Sequence, residues 1–309
     1  VNPRTKTDLL PAVSRGASTN NPLFAWLEIT GKCQLTCGHC YAKSGPHGTN
    51  GVMTVDDWGS TIDQLAGLGT RMVQYIGGEP TLHTDLPRLI DHALGRGLEV
   101  EVFTNLVYIK PALWDVFTRP GVRLATSYYT DDAQAHERIT QGRGSHKRTK
   151  ANIAEAVRRS IPLRVGVIDV EDGQRVQQAV SELAGIGVDG EIRIDHLRQV
   201  GRGVRDRGPD LSQLCGNCGD RKIAVAADGS VWPCVFSRWL PVGNVKDEAL
   251  ADILSGPRMI ETSATLAAEF ATRPCVPNMC DPQCGPSCSP ACIPKGDCTP
   301  EGGCVPSYG

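Results

Sequence analysis

Cys33-Gln-Leu-Thr-Cys37-Gly-His-Cys40 decides how this chain is read. Three thiols stand at C-x3-C-x2-C immediately after an apolar run, Phe24-Ala-Trp-Leu-Glu-Ile29. That order predicts a strand ending in a loop that presents three thiolates. A fully ligated iron–sulfur cube takes four cysteines, so three thiolates hold three corners and leave one iron open for another ligand. A structural zinc site is the competing reading, but such sites usually pair C-x2-C units.

The chain has 309 residues, a formal net charge of −2 and 13 cysteines. That length has room for one large domain with an appendage, or for two domains. The small charge gives no electrostatic case for nucleic acid or for an anionic membrane surface. No apolar run approaches the roughly 20 residues of a membrane span, and residues 1–7 lack a signal-peptide core, so a cytoplasmic protein is expected. An odd number of thiols excludes complete internal disulfide pairing, and many thiols in a cytosolic chain point to metal binding. Three lie at 33–40, none between 41 and 214, and ten between 215 and 304. Two metal-binding regions joined by a thiol-free scaffold are expected.

Strand-like runs fall at residues 24–30, 72–76, 100–104, 122–128, 163–170 and 190–197. Amphipathic stretches alternate with them at 85–95, 111–118, 150–160 and 175–185, and a further helix is expected to open at an N-cap on Thr54. Six βα repeats of Val, Ile and Leu strands predict a parallel sheet covered by helices. Right-handed crossovers curl such a sheet into a (β/α)6 partial TIM barrel, with chemistry at the carboxyl ends of the strands. The expected organisation is a lead-in over 1–22, the barrel over 23–203, and a small Cys-rich auxiliary domain over 204–309. His136 and His146 are read as lying in a polar, Arg/Lys-rich connection around 140–150, a solvated loop with an anionic-substrate contact as the alternative. The sixth strand ends in His196-Leu-Arg198, a basic mouth able to receive a carboxylate or an acidic peptide through the arginine fork.

Strand two runs into Gly77-Gly78-Glu79-Pro80, where glycines permit close backbone approach. Together with the cysteine triad, this turn closely resembles the radical S-adenosylmethionine (SAM) superfamily. The resemblance implies that Cys33, Cys37 and Cys40 each bind one iron of a [4Fe–4S] cluster whose open iron takes the amino and carboxyl groups of SAM. Reduction by an external one-electron donor of flavodoxin or ferredoxin type then cleaves SAM to a 5′-deoxyadenosyl radical. Gly77, Gly78, Glu79 and Pro80 are implied to receive the SAM amino group. Asn105, Ser127, Arg138 and Ile168 stand at later strand ends where relatives contact SAM. Leu106 replaces the glycine of the usual Thr-Asn-Gly, and His39 stands where many members carry an aromatic residue.

Cys215 and Cys218 precede an alternating segment at 222–227, a turn signal at Asp228-Gly229, and a return strand at 230–235 that carries Cys234. The hairpin is expected to bring these three thiols to one site. Cys218, Gly229 and Cys234 fit the first half of the SPASM pattern, the auxiliary-cluster extension of many radical SAM enzymes. The tail thiols Cys275, Cys280, Cys284, Cys288, Cys292, Cys298 and Cys304 all sit in Cys-x-Pro units and lack the expected C-x2-C. One or two auxiliary [4Fe–4S] clusters are implied, with the tail ligands unassigned.

A SPASM extension implies modification of a ribosomally made precursor peptide by crosslinking, thioether formation, epimerisation or oxidation. The alternative is a radical SAM dehydrogenase or epimerase of a small molecule such as an aminosugar. A non-catalytic iron–sulfur or zinc scaffold is the reading from another class, and Gly77–Pro80 speaks against it. The 22-residue lead-in is too short for a winged-helix leader-binding module, so recognition is expected to fall to a separate leader-binding protein or to the substrate-facing loops.

Overall fold

The computed structural model describes residues 21–206, 208–216 and 218–270. At its centre lies β1 (Phe24–Thr30), buried along all seven residues. Strand alternation divides its side chains between two cores. Ala25, Leu27 and Ile29 join Trp58, Ile62 and Leu65 of α1 (Val55–Gly67) in the larger one. Phe24 and Trp26 face the other way and pack with Met72, Ile76 and Phe236. A strand buried on both faces needs an almost unbroken apolar run, which is what made this segment legible.

Five parallel strands follow β1 in sequential order: β2 (Met72–Gly77), β3 (Glu99–Phe103), β4 (Val122–Tyr128), β5 (Leu163–Asp169) and β6 (Ile192–His196). Sequential order with right-handed crossovers sets the helices on one face and curls the sheet. This is the expected (β/α)6 partial barrel, its strand ends within two residues of those read from sequence. The crossover helices include α2 (Leu86–Gly95), α3 (Pro111–Phe117), α5 (Ser145–Arg158) and α6 (Val176–Ile186). Thr54 caps α1 as expected: its Oγ1 accepts from Asp57 N at 3.2 Å, and Asp57 Oδ2 accepts from Thr54 N at 2.8 Å, a capping box.

The connection after β4 corrects the sequence reading. Residues 133–140 form a helix, α4 (Ala133–Thr140), which ends on a left-handed Gln141, and α5 begins at Ser145. His136 and His146 are 1% and 8% exposed, not solvated, and their rings meet at 5.2 Å beside Tyr128. The basic residues of this stretch cover the outer face of α5, while Thr149, Ile153 and Ala156 turn inward. Composition reports both faces together, so the polar face masked the buried one.

On its other side β1 pairs in parallel with β7 (Lys222–Ala226), followed by antiparallel β8 (Ser230–Trp232) and β9 (Gly243–Asn244). The nine strands among the described residues form one sheet. The cysteine-bearing hairpin is therefore built directly onto the barrel's first strand. Its return strand stops at Trp232, which leaves Cys234 in the turn beyond the strand rather than within it. Two helices, α7 (Leu250–Ser255) and α8 (Pro257–Phe270), complete the described chain. None of the helices among the described residues is long and apolar enough to cross a membrane.

Inside the barrel, below the strand ends, lies a polar plug. The Arg164 guanidinium grips Glu101 through Nε–Oε2 at 2.8 Å and Nη2–Oε1 at 2.7 Å, and the Gln74 amide donates to the same carboxylate. Burial alone would raise the Glu101 carboxyl, but Arg164 and Gln74 outweigh it and hold the group below the usual glutamate range. A carboxyl lowered on folding stabilises the fold above its unfolded pKa, and that contribution is lost as pH falls through the folded value. Removing one partner of a buried pair strands the other charge. Arg164→Met is expected to cost about 3–5 kcal/mol, read as a lowered urea midpoint, whereas Glu101→Leu/Arg164→Met together recover much of that loss.

Candidate active site

The thiol loop leaves β1 and is pinned at once to the exit of β2. Gly78 N donates to Thr30 O and Glu79 N to Lys32 O, each at 2.7 Å, and Cys33 N donates to Gly45 O at 3.0 Å. The two glycines are required by this contact. Gly77 has φ 153°, and a Cβ there would stand 2.3 Å from Thr30 O; a Cβ on Gly78 would stand 2.2 Å from Lys32 O. Their space is thus filled by the cysteine loop's own backbone, and they still line the cavity beyond it.

That cavity lies at the carboxyl ends of the strands and encloses about 1070 Å³ out to its open mouth. Cys33, Cys37 and Cys40 all line it, together with Gly77, Gly78, Asn105, Ser127, Ile168, His196 and Arg198. Residues from all six barrel strand ends, with Phe236 of the C-terminal region, therefore converge on one space. Burial, with Glu79 nearby, pushes the Cys33 thiol up to about 12. Burial raises Cys37 as well, reinforced by its neighbours Cys40 and Cys33. Thiols held protonated in this way become thiolates when a cationic centre binds among them. Three cysteine sulfurs around an open cavity fit an iron–sulfur cluster with a free corner.

Glu79 and Pro80 are not among the cavity-lining residues. The Glu79 carboxylate is fully buried and turned aside: Oε1 accepts from Thr81 N at 3.1 Å and Thr81 Oγ1 at 2.7 Å, and Oε2 accepts from Asn105 N at 2.8 Å. Burial raises this carboxyl despite those bonds. Its visible work is to fix the β3 exit, where Asn105 faces the cavity and exchanges side-chain hydrogen bonds with Gln34 at 3.1 and 3.3 Å. Leu106 adopts φ 53°, so the left-handed turn that favours glycine is kept by a leucine whose side chain is fully buried.

Arg138 is not brought to the cavity. It lies two residues from the inward-facing His136 on α4, hence on another side of the helix, and pairs with Glu171 at 2.5 Å on the surface. Conversely, the cavity holds groups the sequence reading did not assign: Phe103, Tyr129, His136, Asp195 and Phe236. Tyr129 hydroxyl and His39 Nε2 are 3.0 Å apart. Burial drives the His39 imidazole down to about 4, with the Arg202 and Arg205 charges adding to it, so the ring is neutral at physiological pH. Strand alternation from Ser127 would have revealed Tyr129.

Cys215, Cys218 and Cys234 come together as expected, in a second, smaller pocket. Cys218 and Cys234 sulfurs are 3.1 Å apart, and both Cys215 and Cys234 contact the Cys218 thiol and raise it. Arg198 and Phe236 line both pockets, so they form the wall between the two thiol sets. The tail thiols from Cys275 to Cys304 lie outside the described residues. Because Gly78 abuts Lys32 and Cys33, Gly78→Ala is expected to displace the loop. Iron analysis of the reconstituted variant should show less iron than the unsubstituted chain, with the loss confined to the first thiol set.

A family model described as the radical SAM superfamily matches residues 27–182, and one for the SPASM iron–sulfur cluster-binding domain matches residues 209–289. A PqqA peptide cyclase from Xanthomonas axonopodis pv. citri (strain 306) is 31% identical over 276 residues, which span 75% of this chain and 74% of that protein. An AdoMet-dependent heme synthase from Methanosarcina barkeri is 30% identical over 193 residues, 60% of this chain and 54% of that protein. Streptococcus suis SuiB bound to S-adenosylmethionine superposes with a TM-score of 0.67 at 15% identity, over 79% of this chain and 68% of that one. At that identity the likeness concerns the fold alone. The chain belongs to the radical SAM superfamily, its partial barrel followed by an iron–sulfur cluster-binding SPASM region.

Proposed function

We propose that this enzyme oxidatively modifies a ribosomally made precursor peptide, forming a crosslink or an oxidised side chain. The observation that carries the reading is the shared wall of Arg198 and Phe236, which sets the cavity of Cys33, Cys37 and Cys40 directly against the pocket of Cys215, Cys218 and Cys234. The relative named for cyclisation of the PqqA peptide, which matches along most of its own length, supports a peptide as the substrate.

When bound beside the cluster that Cys33, Cys37 and Cys40 would hold, SAM would supply a 5′-deoxyadenosyl radical able to take one hydrogen atom from the substrate. Forming a crosslink or a double bond removes a second hydrogen as a proton and an electron, and the auxiliary thiol pocket is the place for an electron acceptor. Cys33, Cys37 and Cys40 hold the SAM cluster, while the backbone of Gly77–Gly78 with Asn105, Ser127 and Ile168 cradles SAM. Glu79 acts behind that surface by fixing Asn105. Phe103, Tyr129 and Phe236 keep water from the reacting centre. His196, the more exposed of the two basic groups, meets a carboxylate of the peptide, while Arg198 is buried beside Asp195 at 3.6 Å and backs the wall between the pockets. An external one-electron reductant, a separate leader-binding protein and a cytoplasmic setting complete the proposal.

The test is anaerobic reaction of reconstituted enzyme with SAM, dithionite and any short Cys- or aromatic-rich peptide found encoded near its gene. The expected outcome is 5′-deoxyadenosine release with loss of a hydrogen pair from the peptide by mass spectrometry. Release of 5′-deoxyadenosine with every such peptide unchanged would return the assignment to a small-molecule substrate.

A further inference from the structure

The segment after β6 does more than extend a basic strand end. Gly201-Arg202-Gly203 forms a single tight turn packed against the thiol loop. Arg202 backbone N donates to Cys40 O at 2.9 Å. Its Nε donates to Cys37 O at 2.8 Å and its Nη2 to Ser44 O at 2.7 Å. One residue thus binds the carbonyls of two of the three cluster cysteines and of the loop beyond them. The approach is as close as backbone allows: Gly201 has φ 64°, and a Cβ there would stand 2.2 Å from Tyr41 O and 2.6 Å from Cys40 O. A planar guanidinium can address two carbonyls at once, which an ammonium cannot do with the same geometry. Among the described residues this guanidinium donates to carbonyl oxygens.

We propose that Arg202 is a positioning residue for the SAM cluster. It holds Cys37 and Cys40 in ligating register, and its charge raises the reduction potential of the cluster they bind. Reduction adds negative charge at that site, and a nearby cation stabilises the reduced form. The inference rests on Cys33, Cys37 and Cys40 being the ligands. An unsubstituted chain without a SAM-cluster signal would defeat that ligand assignment, whereas changes confined to Arg202 variants address this inference alone.

EPR-monitored redox titration of the reconstituted full chain, beside Arg202→Gln and Arg202→Lys, provides the test. The Gln variant is expected to keep its auxiliary iron while its SAM cluster becomes about tenfold harder to reduce, which is about 59 mV for one electron. The Lys variant, charged but without the fork, is expected to restore most of the potential at reduced occupancy of the SAM cluster. Selective loss of that cluster in the Gln variant would uphold the positioning role, leaving the Lys potential to decide the role of charge. Variants matching the unsubstituted chain in both iron and potential would overturn the proposal, and equal potential shifts in Lys and Gln would overturn its electrostatic half.

Discussion

The site depends on the junction where β1 and β2 leave the sheet. Two backbone hydrogen bonds of 2.7 Å, from Gly78 to Thr30 and from Glu79 to Lys32, tie the start of the thiol loop to the next strand's exit. A loop carrying three ligands otherwise has the conformational freedom of any surface connection, and ordering it costs free energy for every residue fixed. Here the cost is met by main-chain bonds made at the edge of a rigid sheet, close to Cys33. The absent side chains of Gly77 and Gly78 are what permit the approach. The radical chemistry of the family thus begins from a packing constraint between two strands.

The second constraint is continuity of the sheet. Because β7 pairs with β1, the auxiliary thiols are carried on the strand system that carries the first set. Cys234 lies beyond β8, and Phe236, two residues further, lines the barrel cavity. An ion pair across the same seam, Arg238 Nη1 to Glu28 Oε2 at 2.6 Å, joins the C-terminal turn to β1, with Arg238 also stacked on Trp232 at 4.5 Å. The two pockets are therefore held at a fixed separation by one sheet and the seam across it.

Much of this was legible in the sequence, for identifiable reasons. Strands buried on both faces appear as runs of Val, Ile and Leu, and the capping box at Thr54 is a local signal. The thiol spacing and Gly77–Gly78 pointed to residues that line one cavity, yet the partner that excludes a Cβ at Gly78 is Lys32, distant in sequence. Glu79 read as a ligand-facing acid because a sequence shows a residue's type and not the direction of its carboxylate. Arg138 and His136 were given the wrong surroundings, since α4 was not seen and its helical spacing could not be used to assign faces. Arg202 was invisible as a clamp: its hydrogen bond to Cys37 spans 165 residues, and no local pattern reports such a contact.

The central claim is that three thiolates after β1 hold a cluster independently of the thiols in the C-terminal region. Its most direct test is iron and sulfide content, with EPR, for the anaerobically reconstituted chain beside a Cys33→Ala/Cys37→Ala/Cys40→Ala variant. The account predicts about twelve irons falling to about eight in the variant, or about eight falling to about four if the C-terminal region holds a single cube. Iron content unchanged by the triple substitution would contradict it.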